Sequence, residues 1–124
     1  MKILLDLLLI ASGGAVGAIT RYLIHIGSLK LFGENFPIGT LVVNVVGCFL
    51  IGWFVGCGQS ESQKWALAFG FGFLGSLTTF STFGIETIQY AEAGRAVTSF
   101  LSVSANLLLG LVAVMLGMWF GRNL

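Results

Sequence analysis

Charged side chains are scarce in this chain, and their scarcity limits the environments in which it can fold. Only 9% of its 124 residues are charged, whereas a soluble domain carries about a quarter. So few charges cannot cover a surface that faces water, and we therefore expect lipid to surround most of the chain. The net charge of +1 offers no footprint for nucleic acid or another polyanion.

Cysteine is also rare, and the sequence has none of the usual clusters of catalytic residues. Its two cysteines, Cys48 and Cys57, lie in one apolar run, where nine helical residues span about 13 Å and prevent a disulfide. We interpret both as small packing residues. There is no Cys/His cluster of the metal-binding type, no nucleophile–base pair and no nucleotide-binding loop. The sequence therefore predicts a protein that is not an enzyme.

Long uncharged runs, by contrast, are abundant. Glu34 and Glu61, for example, enclose 26 residues without a charge, and a helix needs about 20 apolar residues to cross a bilayer. We expect the first apolar stretch to be retained, because Ala11–Gly13 is only a weak signal-cleavage site. The runs predict one all-helical membrane domain over residues 1–124, with short connections such as the polar turn 58–63. Its four transmembrane helices are expected at about 4–27, 37–58, 65–91 and 97–120.

The 18 glycines of the chain indicate close packing of these helices. Gly13 and Gly17 form a small-xxx-small pair in the first helix, and Gly52 and Gly56 form another in the second. Such pairs let helix backbones approach each other where lipid provides no hydrophobic drive. The pattern is common in membrane helices and says little about function.

The basic residues are divided evenly between the two sides of the membrane. Four helices place three of them on one side and three on the other: Lys2, Lys64 and Arg122 against Arg21, Lys30 and Arg95. The positive-inside rule then has no bias on which to act. Either the sequence controls its topology weakly, or the chain inserts in both orientations. We favour the second, because so small a chain can hardly enclose a pore alone, and it implies an antiparallel homodimer.

The predicted third helix contains an unusual excess of hydroxyl groups. Five lie between positions 76 and 82, at Ser76, Thr78, Thr79, Ser81 and Thr82. One threonine would bond back to a carbonyl one turn earlier, but five beside glycine compete with the helix itself. We therefore predict a break near Gly75–Thr79, which membrane depth tolerates only where protein, water or an ion satisfies the backbone. In an antiparallel dimer, two carbonyls per chain would form a four-oxygen cage suited to a hard cation.

Aromatic and amide side chains near this segment are candidates for an ion path. Phe80 and Phe83 share a helix face if the helix resumes there. They either pack against lipid and protein or present their positive ring edges to an anion. Asn44 lies in the middle of the second helix, and its amide either bridges helices or lines a polar path. The sequence leaves both interpretations of Asn44 open.

Further polar residues extend the candidate path toward the helix ends. Arg21 either snorkels toward the membrane surface or attracts anions to a vestibule. Glu86 follows Thr82 by one helical turn and would cap the hydroxyl run at a pore mouth. Ser102 and Asn106 are four residues apart and share one face of the fourth helix.

Three ordered motifs, at residues 13–22, 39–47 and 75–83, carry a resemblance to a known family. They read GGAVGA with Arg21 and Tyr22, GTLVVN with Gly47, and GSLTTFSTF. Over essentially its whole length the chain resembles the Fluc (CrcB) family of fluoride channels. The resemblance implies a dual-topology homodimer in the cell inner membrane, with two fluoride pathways and passive export of fluoride from the cytoplasm.

The same resemblance implies particular residue roles. Carbonyls of Gly75 and Thr78 would hold one structural sodium ion at the dimer interface. Phe80 and Phe83 would line the anion route with their ring edges, and Asn44 would donate to the anion. Polar residues further along would continue the route, namely Ser81, Thr82 and Glu86. In helix four, Ser102 and Asn106 occupy the family's usual aromatic-or-polar and serine positions, so the lining differs there.

Two other functions fit a small four-helix membrane chain. A small multidrug-type transporter also forms a dual-topology dimer, but a proton-coupled exporter needs a carboxylate near the middle of the membrane. Asp6 and Glu86 both lie near helix ends, so the sequence disfavours this function. A non-catalytic membrane assembly subunit would explain the glycines but would leave the hydroxyl run without a role.

Overall fold

The computed structural model describes residues 1–58 and 62–124, and within these ranges the chain contains helices and short connections but no strand. Four of the described helical segments are long and apolar enough to cross a membrane: Lys2–Phe32, Ile38–Gly56, Gln63–Glu92 and Ala96–Arg122. The predicted all-helical class with four spans is therefore confirmed. We call the first two helices α1 and α2. The third span comprises α3 (63–77) and α4 (Phe80–Glu92), and the last helix is α5 (Ala96–Arg122).

Every helix end differs from its predicted position by one to five residues, and the largest difference is at the end of the first helix. Helix α1 continues to Phe32 instead of ending at residue 27, and Gly33 follows it with a φ of 69°. That left-handed conformation suits glycine and stops the helix. Helix α2 begins at Ile38, so Pro37 precedes the first helical residue as its cap. Glu61, in the predicted polar turn, lies outside the described residues.

The first half of the third span is wider than an α-helix. Residues Ala66–Leu74 form π-helical turns, which hold more residues per turn than α-helical ones. This stretch packs directly against α1 through glycine. A Cβ atom at Gly17 would fall on the carbonyl oxygen of Phe73, and one at Gly72 would lie 2.7 Å from the carbonyl oxygen of Ile10. Backbone therefore contacts backbone between α1 and α3.

Helices α2 and α5 pack in the same way. Cβ atoms at Gly52 and Gly117 would fall on the carbonyl oxygens of Val114 and Phe49, respectively. Glycines from both helices thus face the neighbouring backbone. The small-residue pairs of the sequence lie at these crossings, as predicted, and the close approach confirms their packing role.

Helical geometry stops between α3 and α4. Thr78 has a ψ of 155° and Thr79 has φ and ψ of −150° and 116°, so both residues are extended. The helix resumes at Phe80, with the Thr79 hydroxyl accepting from the Thr82 N–H as an N-cap. The extended pair falls within the range Gly75–Thr79 singled out in the sequence.

One copy of the chain buries little of its apolar surface. Val43, Leu74 and Leu77 form a small buried cluster where α2 meets α3. Large apolar side chains are exposed on every long helix, including Val16, Phe71, Phe80, Phe100 and Met115. A water-soluble monomer rarely exposes so much apolar surface, and this surface instead suits lipid or a second copy.

Candidate functional site

Asn44 of α2 occupies the centre of the candidate site because it pairs with the unwound backbone. Its Oδ1 accepts from the Thr79 N–H at 2.9 Å, and its Nδ2 donates to the Thr79 carbonyl at 3.2 Å. The same Nδ2 donates to Oδ1 of Asn106 on α5 at 2.9 Å. The amide thus supplies both partners that helix geometry no longer gives Thr79. Asn44 bridges three elements, which is one of the two interpretations open from the sequence.

The hydroxyls beyond the break form a connected cluster around Thr79. Its Oγ1 lies 3.0 Å from Oγ1 of Thr82, to which it donates, and 3.3 Å from Oγ of Ser81. The same oxygen accepts from the Thr82 N–H at 3.1 Å. Thr79 is buried, with 6% of its surface exposed. The hydroxyl excess of the sequence therefore includes the buried Thr79 as well as the exposed Ser81.

The carbonyl oxygens of Gly75 and Thr78, at the break, lack the hydrogen bonds that a continuous helix would give them. In a continuous helix the Thr79 N–H would close a turn onto the Gly75 carbonyl, but it donates to Asn44 instead. The Thr78 carbonyl lies 3.5 Å from Nη1 of Arg21. The Arg21 guanidinium therefore points into the protein, toward the interrupted backbone.

A cavity of about 410 Å³ brings together four of the predicted path residues and the two predicted sodium ligands. We call it the aryl cavity, and its lining includes Asn44, Gly75, Thr78, Phe80, Phe83 and Asn106. The two rings pack with centroids 5.6 Å apart at an interplanar angle of 54°. Phe80 is 83% exposed in a single chain, so its ring is available to a partner or an ion.

Arg21 and Glu86 line two further cavities. The arginine cavity, of about 300 Å³, is lined by Arg21, Tyr22, His25, Thr40, Thr79 and Thr82 among others. The end cavity, of about 520 Å³, lies beyond it and is lined by His25, Glu34, Glu86, Tyr90 and Arg95 among others. Within the described residues, Oε2 of Glu86 is buried and has no hydrogen-bond partner. Thr79 lies on both the aryl and the arginine cavities and so separates them.

Ser102 is not brought to any of these three cavities. It is only 1% exposed, and its Oγ has no hydrogen-bond partner in ranges 1–58 and 62–124. Its carbonyl accepts from Nδ2 of Asn106 at 2.9 Å. The two residues therefore stack on α5 as the spacing indicates, but only Asn106 lines a cavity.

Sequence reasoning missed three residues of the site. Thr79 stood in the hydroxyl run, but nothing distinguished it there as the residue that bonds Asn44. Thr40 is buried and lines the arginine cavity, and its place in the GTLVVN motif was the available signal. His25 is the only histidine in the chain, and that rarity was its only sign.

Comparison with known proteins places this architecture in a family. The family model described as "CrcB-like protein, Camphor Resistance (CrcB)" matches residues 8–118. The chain belongs to the CrcB family. The match covers every candidate site residue from Arg21 to Asn106. Together with its four spans, the assignment makes this CrcB-family chain a multi-pass membrane protein.

Several similar proteins carry the name "Fluoride-specific ion channel FluC". The one from Dehalococcoides mccartyi is 42% identical over 122 residues, which cover 96% of this chain and 94% of the relative. The Shewanella amazonensis protein is 46% identical over 114 residues, covering 90% and 92%, respectively. The Caulobacter vibrioides protein is 39% identical over 121 residues, covering 94% and 95%. The relatives of this CrcB-family chain are thus named as channels and not as enzymes.

Proposed function

We propose that this CrcB-family chain is a fluoride channel that lets fluoride leave the cytoplasm passively across the cell inner membrane. The observation that carries the proposal is the aryl cavity, where the rings of Phe80 and Phe83 meet amide groups at Asn44 and Asn106. Relatives of similar length are named as fluoride-specific channels. Membrane proteins keep such polar groups inside their spans where substrates or ions pass.

The chemistry of the lining suits a small, strongly hydrated anion. A selective path must replace the ion's water with donors held at close range. The hydroxyls of Ser81 and Thr82 and the positive ring edges of Phe80 and Phe83 provide such partners. In this mechanism the hydroxyls bind the ion after the rings, and Glu86 marks the exit.

The role of Asn44 in conduction has a definite structural requirement. Its Nδ2 already donates to the Thr79 carbonyl and to Asn106 Oδ1, and a primary amide has only two N–H groups. Donation to a passing anion therefore requires one of these bonds to open. The bond to Asn106 is the better candidate, because breaking it leaves the backbone of Thr79 paired.

Two copies in opposite orientations would complete the channel. The exposed Phe80 ring supports this, as does the even division of basic residues between the two ends of the helices. An antiparallel dimer repeats the path, which gives two pathways related by a two-fold axis in the membrane plane. Arg21 would draw anions toward each entrance.

The carbonyls of Gly75 and Thr78 would hold a structural sodium ion at that axis. The Thr79 N–H, which would bond the Gly75 carbonyl in a continuous helix, donates to Asn44 instead. The Thr78 carbonyl contacts Arg21 through one lone pair and keeps a second one for the ion. Two oxygens from each chain give the hard-oxygen environment that such cations prefer. A bound sodium ion supplies a fixed positive charge near both anion routes.

Fluoride efflux from liposomes tests the function. Purified protein is reconstituted into vesicles loaded with potassium fluoride, which are then diluted into fluoride-free buffer with valinomycin to carry the counterion. We expect rapid efflux that needs no proton gradient, while vesicles loaded with chloride retain their anion. Efflux no faster than from protein-free vesicles excludes the channel, and efflux only with a proton gradient favours a coupled transporter instead.

A further inference from the structure

His25 lies where two cavities meet, on the same face of α1 as Arg21. It lines both the arginine cavity and the end cavity. Arg21 is one helical turn earlier, so the two side chains are neighbours, with Cβ atoms about 6 Å apart. An anion that moves from the end cavity toward the hydroxyls of Thr79 and Thr82 would therefore move past His25.

The packing around His25 holds the ring at this junction. A Cβ atom at Gly39, near the start of α2, would lie 3.1 Å from Cα of His25 and 3.5 Å from its Nδ1. The absence of a side chain at Gly39 thus leaves the space beside the imidazole. The backbone carbonyl of His25 accepts a hydrogen bond from Ser28 Oγ at 2.8 Å. Within residues 1–58 and 62–124, neither ring nitrogen of His25 makes a hydrogen bond. Both ring nitrogens remain able to bind an ion or water.

We propose that His25 is a second anion-binding residue of the entrance, which joins Arg21 when it is protonated and makes fluoride conduction depend on pH. This inference rests on the proposed channel function. Histidine is the side chain that ordinarily changes charge between about pH 5 and 8. Two neighbouring cations in a narrow, low-dielectric cavity concentrate anions more strongly than one. Conduction should therefore rise as the pH falls.

Other ionisable groups also line the two cavities. They are Arg21 and Tyr22 of α1, Glu34 after α1, Glu86 and Tyr90 of α4, and Arg95 before α5. The part of α2 that packs here contributes Gly39, Thr40 and Val43, which do not ionise. Within the described residues, Glu86 contributes a buried carboxylate oxygen that has no hydrogen-bond partner.

Fluoride efflux at two pH values tests the effect on conduction. Wild type is compared with His25→Gln at pH 5.5 and 7.5, after subtraction of the hydrogen fluoride leak from protein-free vesicles at each pH. We expect wild-type efflux to be at least roughly threefold faster at pH 5.5, and efflux through His25→Gln to be equal at both. Lys30→Gln is the matched control, since it removes a charge from α1 outside the three cavities and should keep the wild-type pH response. A pH response retained by His25→Gln, or efflux lost at both pH values from an intact dimer, overturns the proposal.

A binding measurement separates failure of this inference from failure of the channel function. Because the chain has a single histidine, its ring gives one unambiguous NMR signal in protein labelled with ¹³C-histidine. By linkage, an anion that prefers the protonated ring shifts the midpoint of the ring titration to higher pH. We expect potassium fluoride to raise the midpoint relative to potassium gluconate at equal ionic strength. An unchanged midpoint overturns the role of His25 even if the protein conducts, whereas a raised midpoint without efflux retains the binding site and rejects the channel.

Discussion

At the scale of single residues, Asn44 shows how a side chain can replace a helical turn. Its amide carries one donor face and one acceptor face, as a peptide group does, and it meets both the N–H and the carbonyl of Thr79. Backbone polar groups buried in a membrane protein need such partners, because lipid offers none. The interruption of the third span therefore depends on a residue of α2.

Replacing Asn44 with alanine should destabilise the protein and slow its fluoride efflux. The change leaves the Thr79 N–H, the Thr79 carbonyl and Oδ1 of Asn106 without their partner. Each unpaired buried group costs about 1–3 kcal/mol, so for three groups we expect a loss of at least about 3 kcal/mol. Thermal unfolding in detergent measures the loss. Asn123→Ala, which removes an exposed bond to the Trp119 carbonyl at the end of α5, is the control and should change stability by under about 0.5 kcal/mol. An equal loss in both variants would contradict the role of Asn44.

The aromatic pair allows a second prediction at the residue scale. Phe80→Ile and Phe83→Ile keep an apolar side chain but remove the positive ring edge. We expect each to reduce fluoride efflux at least roughly tenfold, which corresponds to about 1.4 kcal/mol of lost ion stabilisation, while the dimer stays intact by size-exclusion chromatography. Phe71→Ile, at an exposed ring that does not line the aryl cavity, should conduct as wild type. Unchanged efflux in both test variants would exclude the ring-edge role.

At the scale of elements, the third span combines two departures from α-helical geometry. Its first part is π-helical, and its second part begins only after two extended residues. The glycines of α1 lie directly against the wide part, so α1 and α3 form a rigid backbone-to-backbone support. This support holds the interruption at a fixed position beside α2.

Two glycine substitutions in α1 should have opposite effects on stability. A Cβ atom at Gly17 would overlap the Phe73 carbonyl, whereas one at Gly27 would have no atom within 4 Å. We expect Gly17→Ala to lower stability by about 1–3 kcal/mol through overpacking. Gly27→Ala should be neutral or stabilising by up to about 1 kcal/mol, because alanine favours the helix. Thermal unfolding of the two variants in the same detergent is the measurement, and equal losses would show that the α1–α3 contact is not tight.

At the scale of the whole molecule, a single copy leaves its aromatic and apolar groups exposed around the candidate path. Phe80 is the clearest case, since it is 83% exposed and a ring that lines the proposed fluoride path should not face lipid. Because the basic residues are divided evenly, the positive-inside rule gives the chain no preferred orientation in the membrane. Both features lead to the antiparallel dimer that we propose.

Changing the charge of one connection should alter the orientation of the chain. Glu34→Lys with Asn35→Lys adds two positive charges between α1 and α2, and should hold that connection in the cytoplasm. Ser62→Lys with Gln63→Lys should do the reverse. We expect each double variant to give little efflux alone and the coexpressed pair to restore it. Accessibility of a C-terminal tag in inverted vesicles measures orientation, and a native chain found in only one orientation would disprove dual topology.

The sequence by itself determined the environment and the spans of this protein, because hydropathy and charge spacing are local properties of the chain. It also indicated which residues interrupt the third span, since Gly75 and the hydroxyls that follow lower helix propensity and compete for backbone bonds. The glycine pairs likewise predicted close helix crossings. None of these inferences required knowledge of how the helices face one another.

Only the tertiary structure decided which polar side chains meet. Asn44 and Thr79 are 35 positions apart, and Arg21 and Thr78 are 57 apart. Their contacts depend on the rotation of each helix about its axis, which follows from packing at the glycine crossings. The π-helical turns before the break also shift residues away from the faces that a period of 3.6 assigns. Because packing sets the rotation of each helix, spacing alone could not show that Ser102 lies outside the cavities. Nor could it show that His25 lies between two of them.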